Sequence, residues 1–273
     1  MRKAIPFWVH KMHRTHMRNI AILIGFSILF LFSFHPTGPN AFTVRKIVID
    51  AGHGDHDPGT SGRFSKEKNV ALEIALELGR IIEENMEDVE VIFTRDDDSF
   101  LELHERAMLA NNEDADLFIS IHCNSFSNTN VFGSETYVMG LDKVDKNLDV
   151  AKRENSVMLM EEDQTHYEGF DPESDESYIL FNLYQSAHLN NSLMLAAEIE
   201  SQMEERVGRN SRGVRQAPFW VLWQTTMPSV LVETGYLSNS KEEQELNDKL
   251  NQVYIASGIY RAVRTYKERM ESN

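Results

Sequence analysis

The chain has 273 residues, 41% of them hydrophobic and 26% charged, enough for a sizeable core in one large or two small domains. Its 43 acidic residues outnumber its 27 basic ones, for a formal net charge of −16. No acidic residue occurs before residue 46, whereas six basic ones do (Arg2, Lys3, Lys11, Arg14, Arg18 and Arg45), so the body is more acidic than the total suggests. Such a surface excludes nucleic acid as a partner and disfavours adsorption to anionic lipid head groups.

Residues 2–19 are basic and polar, and Ile20–Phe34 is an apolar run without a charge. A basic stretch followed by a short apolar one reads as a secretory signal. At about 1.5 Å per residue the run spans ~22 Å, short of the roughly 30 Å of a hydrocarbon core. No clear small-x-small cleavage site follows, which leaves an uncleaved anchor or a buried helix as alternatives. The first two readings export the body to the periplasm or cell envelope, with membrane contact only through the N-terminus if it is retained. Residues 1–43 are therefore read as leader or anchor plus a Pro/Gly linker, and 44–270 as the exported domain. Its single cysteine, Cys123, excludes an internal disulfide. Lying at the end of an apolar strand, it reads as a small buried residue rather than a nucleophile, for which no partner base is evident.

Beyond the linker, strands and helices alternate. Lys46–Asp50 is a short apolar strand that breaks into Ala51-Gly52-His53-Gly54. A helix is predicted from Glu67 to about Asn85, with Val70, Ile74, Leu78, Ile81 and Ile82 at helical spacing. Val89–Thr94 is a strand, Leu101–Asn112 a helix, Asp116–His122 a central strand apolar on both faces, and Gly133–Met139 a further strand. From 141 to about 187 the chain turns acidic, with one apolar helical stretch at Val157–Met160, and reads as an insertion outside the sheet. A helix resumes over Ser192–Val207; Phe219–Trp223 and Ser229–Glu233 are predicted strands, and Lys241–Arg269 is helical. The fold class expected is α/β: a single mixed, mostly parallel sheet flanked by helices, with an acidic helical insertion.

Ligand sites in such folds gather at the carboxyl ends of strands. That rule selects His53 after the first strand, His122 ending the third and Glu233 ending the last. Glu67, opening the first helix, can point back toward the same loop. Two imidazoles and a carboxylate make an open set for catalytic zinc, with a fourth position left for water or substrate. Taken singly, each residue has a plainer use: a hydrogen-bonded histidine, or a glutamate favouring a helix dipole. Their convergence on one rim is what argues for a site.

The wider motifs carry a resemblance. Ile49-Asp50-Ala51-Gly52-His53-Gly54, Asp57-Pro58-Gly59, Lys66-Glu67-Lys68-Asn69, Thr94-Arg95-Asp96 and Ser120-Ile121-His122-Cys123-Asn124 occur in that order. Leu231-Val232-Glu233-Thr234-Gly235-Tyr236 and Ser238-Asn239 close the series. Together, over residues 46–239, they resemble the zinc-dependent N-acetylmuramoyl-L-alanine amidases, which cut peptidoglycan between the lactyl group and the first stem-peptide residue. The resemblance implies one Zn2+ per chain on His53, Glu67 and His122, with Glu233 moving the proton of an activated water to the leaving amine. Asp50 and Asn124 are then candidates to orient the histidines, while Arg95 and Arg106 read as structural. It also implies a role in wall remodelling and daughter-cell separation.

Residues 141–187 stand where a regulated branch of that family inserts a helical segment that covers the zinc until an activator, of LytM type, moves it. Glu154, Glu161 and Glu162 are the candidate blocking carboxylates, and the sequence does not choose among them. The alternative is a solvated acidic face that shapes access. Three rival functions remain at this level: a zinc peptidase cutting another stem-peptide bond, a non-catalytic wall-binding module, and an anchored interaction protein acting through its N-terminus.

Overall fold

A computed structural model of the chain describes residues 43–140, 145–161, 164–167, 170–171, 174, 177 and 188–272. The strands are β1 (Lys46–Ala51), β2 (Glu90–Phe93), β3 (Leu117–Asn124), β4 (Ser134–Met139), β5 (Ser211–Ala217) and β6 (Ser229–Tyr236). The helices are α1 (Glu67–Asn85), α2 (Leu103–Asn112), α3 (Asp145–Asn155), α4 (Leu189–Gln202), the single turn α5 (Trp220–Trp223), α6 (Ser240–Leu246) and α7 (Lys249–Glu271). A 3-10 turn, Ser156–Met160, extends α3, and a π-turn, Met203–Val207, extends α4.

The six strands form one mixed sheet in the order β2-β1-β3-β6-β4-β5. The first four of these run parallel; β4 is antiparallel to β6, and β5 is parallel to β4. The amino ends of β4 and β5 therefore lie beside the carboxyl end of β6, and one rim collects side chains from all of them.

Alternation along the strands divides the core in two. Ile47, Ile49, Ile119, Ile121, Val230 and Val232 pack with α1, α4 and α7 on one face. Helix α1 covers that face because Val70, Ile74, Leu78, Ile81 and Ile82 recur at helical spacing. Val48, Phe118, Tyr137 and Leu231 point to the other face, toward Ala110 of α2, Val150 and Ala151 of α3, and Trp220. On that second face each strand replaces its last apolar residue with a polar one: Asp50, His122 and Glu233 are all buried.

Two expectations fail. Phe219–Trp223, predicted as a strand from five apolar residues, is the turn α5. Its Trp220 N–H donates to Asn155 Oδ1, the Asn155 amide donates to Pro218 O, and Trp220 packs against Tyr167, Phe170 and Trp223. The run is apolar because it lies beneath the insertion. The missed strand is β5, Ser-Arg-Gly-Val-Arg-Gln-Ala, a half-buried edge whose polar composition gives no strand signal. The predicted helix Lys241–Arg269 is broken into α6 and α7, the latter capped by Asp248, whose carboxylate accepts from Asn251 N.

Ile119 is fully buried in the central strand. Ile119→Ala should cost about 2–5 kcal/mol of stability, read as a lowered urea midpoint with an unchanged slope.

Candidate active site

The loop after β1 turns sharply. His53 adopts φ 64°, a left-handed conformation that costs a non-glycine residue energy and is held by its surroundings. Arg106 donates to Ala51 O and His53 O, and Arg95 to Ala51 O and Gly52 O, so two buried guanidiniums clamp the turn. Gly52 has no side chain for a steric reason: a Cβ there would stand 2.3 Å from Cε1 of His122. The imidazole of His122 thus packs directly on the loop backbone, and the two histidine rings meet edge to face at 4.9 Å.

Glu67, at the first position of α1, reaches the same point. Its Oε1 lies 3.1 Å from His53 Nε2 and 3.0 Å from His122 Nδ1, and accepts from Cys123 N at 2.9 Å. Its Oε2 accepts from Thr60 N at 2.7 Å. A fourth group comes from α3, where Glu154 Oε2 lies 3.2 Å from both His53 Nε2 and His122 Nδ1. All four residues are buried. Yet among the described residues His53 Nε2 and Glu154 Oε2 have no hydrogen-bond partner; these atoms converge on a common point.

The donor set fits a divalent cation. A tetrahedral first-row ion with bonds of about 2.0–2.1 Å needs neighbouring donors about 3.3 Å apart, close to the 3.0–3.2 Å found here. Imidazole nitrogen and carboxylate oxygen are also the right chemistry. Electrostatics agree. Burial alone would lower the His53 pKa, but Glu67, Asp57 and Glu154 raise it well above the usual histidine value. Burial likewise opposes, and Glu154 and Glu67 reverse, the shift of His122, which ends at about 9. Burial disfavours charge on Glu67, but His53 and His122 bring it down to about 2. Two carboxylates confront two imidazoles in a dry pocket that favours positive charge.

Glu233 stands next to this cluster, paired in register with His122 across β3 and β6. Burial first, then the Glu154 carboxylate, push its pKa well above the carboxylate range against the pull of Arg153. Neither oxygen has a hydrogen-bond partner among the described residues, and Arg153 Nη2 lies 3.5 Å from Oε1. Arg153 also donates to Glu154 Oε1 and Asn124 Oδ1.

Other expected roles differ. Asp50 accepts from Thr94 Oγ1, Ser120 Oγ and Arg106 Nη1, so it secures the strand ends and orients no imidazole by hydrogen bond. Asn124 holds Arg153 and Ser125 N instead of a histidine. The residue that orients His53 is Asp57, whose Oδ2 lies 2.6 Å from Nδ1 and fixes Nε2 toward the cluster. The Asp-Pro-Gly motif contained it, but only the folded loop shows where its carboxylate points. Of the three candidate blocking carboxylates, Glu154 reaches the cluster. Glu161 is at the start of α2, accepting from Leu103 N and the Tyr167 hydroxyl. Glu162 lies outside the described residues. Cys123 is fully buried against Thr234 Oγ1, and burial pushes its thiol pKa far up, so it stays unreactive.

An α/β sheet with a candidate metal cluster and an adjoining buried carboxyl of raised pKa at its carboxyl rim is an arrangement suited to a hydrolase. Residues 47–265 match the family model described as N-acetylmuramoyl-L-alanine amidase, and the chain belongs to that family. It is 32% identical over 225 residues to the N-acetylmuramoyl-L-alanine amidase AmiA of Escherichia coli strain K12, covering 81% of this chain and 76% of AmiA. Among solved structures it resembles the N-acetylmuramoyl-L-alanine amidase from Clostridium difficile 630, with TM-score 0.63 and 27% identity over 83% of this chain and 98% of that one. It also resembles the CwlD amidase of Clostridioides difficile, solved in complex with the GerS lipoprotein, with TM-score 0.62 and 27% identity over 82% of this chain and 99% of that one. The chain is an amidase acting on peptidoglycan.

Losing the Asp57 carboxylate frees the His53 ring to rotate and to change tautomer. Asp57→Ala should weaken divalent-metal affinity about 10- to 100-fold, measured by competition with a chromogenic chelator while circular dichroism stays unchanged.

Proposed function

We propose that His53, Glu67 and His122 hold one zinc ion, that Glu233 is the catalytic acid and base, and that Glu154 keeps the site closed until a partner removes it. The observation that carries this reading is the convergence of four buried donor atoms beside a carboxyl group of raised pKa.

Zinc, when bound, supplies a Lewis acid for the lactyl carbonyl and lowers the pKa of a water to about 7. The residues supply the remainder. Asp57 holds the His53 tautomer with Nε2 turned inward. Glu67, tied by the N–H groups of Thr60 and Cys123, bridges the two histidines from α1. Glu233 takes the proton of the attacking water and delivers it to the departing alanine nitrogen, a task its buried position in register with His122 supports. Arg153 and the glutamates around it pack the site against bulk water.

Closure is supported by geometry. With α3 in place the space among His53, His122, Glu154, Phe219 and Val221 is only about 10 Å³, room for a single water and far too small for a glycopeptide. Glu154 takes the position that a water or substrate oxygen needs. A partner that withdraws α3 would open it, and the CwlD–GerS complex shows that a structural neighbour of this chain binds a protein; for this chain we expect an activator of the LytM type. Export through residues 1–43, of which 1–42 lie outside the described residues, would bring the domain to its substrate and to a function in wall remodelling and daughter-cell separation.

Purified protein should release free L-alanyl amino termini from sacculi, with mass spectrometry placing the cut at the lactyl amide. A cut elsewhere in the stem peptide would favour a zinc peptidase, and no cut under any condition a wall-binding module. Chelation should abolish release and added zinc restore it. Glu233→Gln should lower kcat by about 10²–10⁴-fold with metal content unchanged. Glu154→Ala should raise activity in the absence of any partner; activity equal to or below wild type would remove the occlusion from this reading.

A further inference from the structure

Beside Glu233 lies a second cavity, of about 210 Å³, which the reaction described above does not use. Its inner side is built from Asn124 of β3, Glu135 of β4 and Tyr236 of β6. Glu135 is the register partner of Glu233 across β4 and β6, so the cavity begins one strand spacing from the catalytic carboxyl. Asn147 and Val150 of α3 line it as well, and the same helix carries Glu154 into the metal cluster. One helix therefore covers both spaces.

Two arginines, Arg212 and Arg215, line this cavity from β5. Three residues apart, they would face opposite sides of a regular strand. The register between β4 and β5 slips here: Ser134 pairs with Ser211, but Thr136 pairs with Val214. One extra residue is thus accommodated in β5, at Gly213, whose φ of 87° suits glycine. The bulge returns Arg215 to the side of Arg212 and turns a polar edge strand into a wall with two guanidiniums. Arg212 is partly neutralised, since Nε donates to Glu135 Oε1 at 2.6 Å and its guanidinium lies over the Tyr236 ring. Arg215 makes no ion pair with a described residue. In a chain of net charge −16, an arginine with no ion pair among the described residues, lining a cavity one strand spacing from the catalytic carboxyl, favours an anionic ligand.

We propose that this cavity is the subsite for the second residue of the stem peptide, and that Arg215, with Arg212 beside it, selects a free carboxylate there. The inference rests on the amidase activity. The scissile amide joins the glycan to the first residue, and one further residue spans about 3.5 Å, comparable with the 4.7–4.9 Å step from β6 to β4. A peptidoglycan stem whose second residue is an isoglutamate offers an α-carboxylate at that point; amidation to isoglutamine keeps the shape and removes the charge. The guanidinium fork then pairs with the acid and leaves the amide form poorly matched.

The test compares N-acetylmuramoyl-L-alanyl-D-isoglutamate with its isoglutamine analogue, using the full-length wild-type chain and the Glu154→Ala variant. The acid should be cleaved with a kcat/KM about 10- to 100-fold higher, mainly through KM. Arg215→Ala should erase that preference with the thermal midpoint unchanged, and Arg215→Lys should restore part of it. Calorimetric titration with the L-alanyl-D-isoglutamate and L-alanyl-D-isoglutamine dipeptides gives a second readout that needs no turnover. Equal cleavage of both substrates overturns the subsite and leaves the amidase intact. A preference that survives Arg215→Ala, or no dipeptide binding at millimolar concentration, also overturns it.

Discussion

One carboxylate links the two halves of the site. Glu67 opens a helix that packs on one face of the sheet, while His53 lies in the loop after β1 and His122 near the carboxyl end of β3. Its Oε1 lies within 3.1 Å of a nitrogen on each ring and accepts a backbone N–H from β3. The position of α1 is thus coupled to the strand ends, and everything placed around the cluster depends on that coupling: the left-handed turn at His53, the two arginines clamping it, and the absence of a side chain at Gly52 that lets His122 approach. Buried charge of this kind is costly unless paired, and here every member is paired or directed at a common point.

The insertion follows from the same electrostatics. A pocket walled by Glu67 and two imidazoles has room for one more oxygen donor, and α3 supplies it in Glu154. Arg153, its neighbour, touches Glu154, Asn124 and Glu233, so the helix brings its own counter-charge and does not add an isolated anion to the core. The segment is further held by Glu161, which accepts from Leu103 N at the start of α2, and by the aromatic packing of Tyr167 on Trp220. These contacts tie the segment to the second core through the buried Tyr167 and Trp220.

Much of the site was legible in the sequence because strand ends are legible. An apolar run that stops at a histidine or glutamate marks the rim of an α/β sheet, and the motifs around His53, Glu67, His122 and Glu233 added the family. The failures have physical causes as well. Phe219–Trp223 looked like a strand because its apolar residues meet a covering segment and not a neighbouring strand. Edge strand β5 was invisible because its arginines face a cavity. Asp50 and Asn124 were expected to orient the histidines, but an oxygen bonds what lies in front of it, and for them that was Arg106 and Arg153.

The sequence by itself determined the alternation of elements, the acidic body behind a basic and apolar N-terminal stretch, and which strand-end side chains are of a type able to bind metal or carry protons. These are properties of residue type and local spacing. The tertiary structure alone decided that Asp57 orients His53, that Glu154 among three glutamates enters the cluster, and that a one-residue bulge at Gly213 turns two arginines to one side. Each of these depends on the direction of a side chain across contacts distant in sequence, or on a register set by a partner strand, and local pattern carries no information about either.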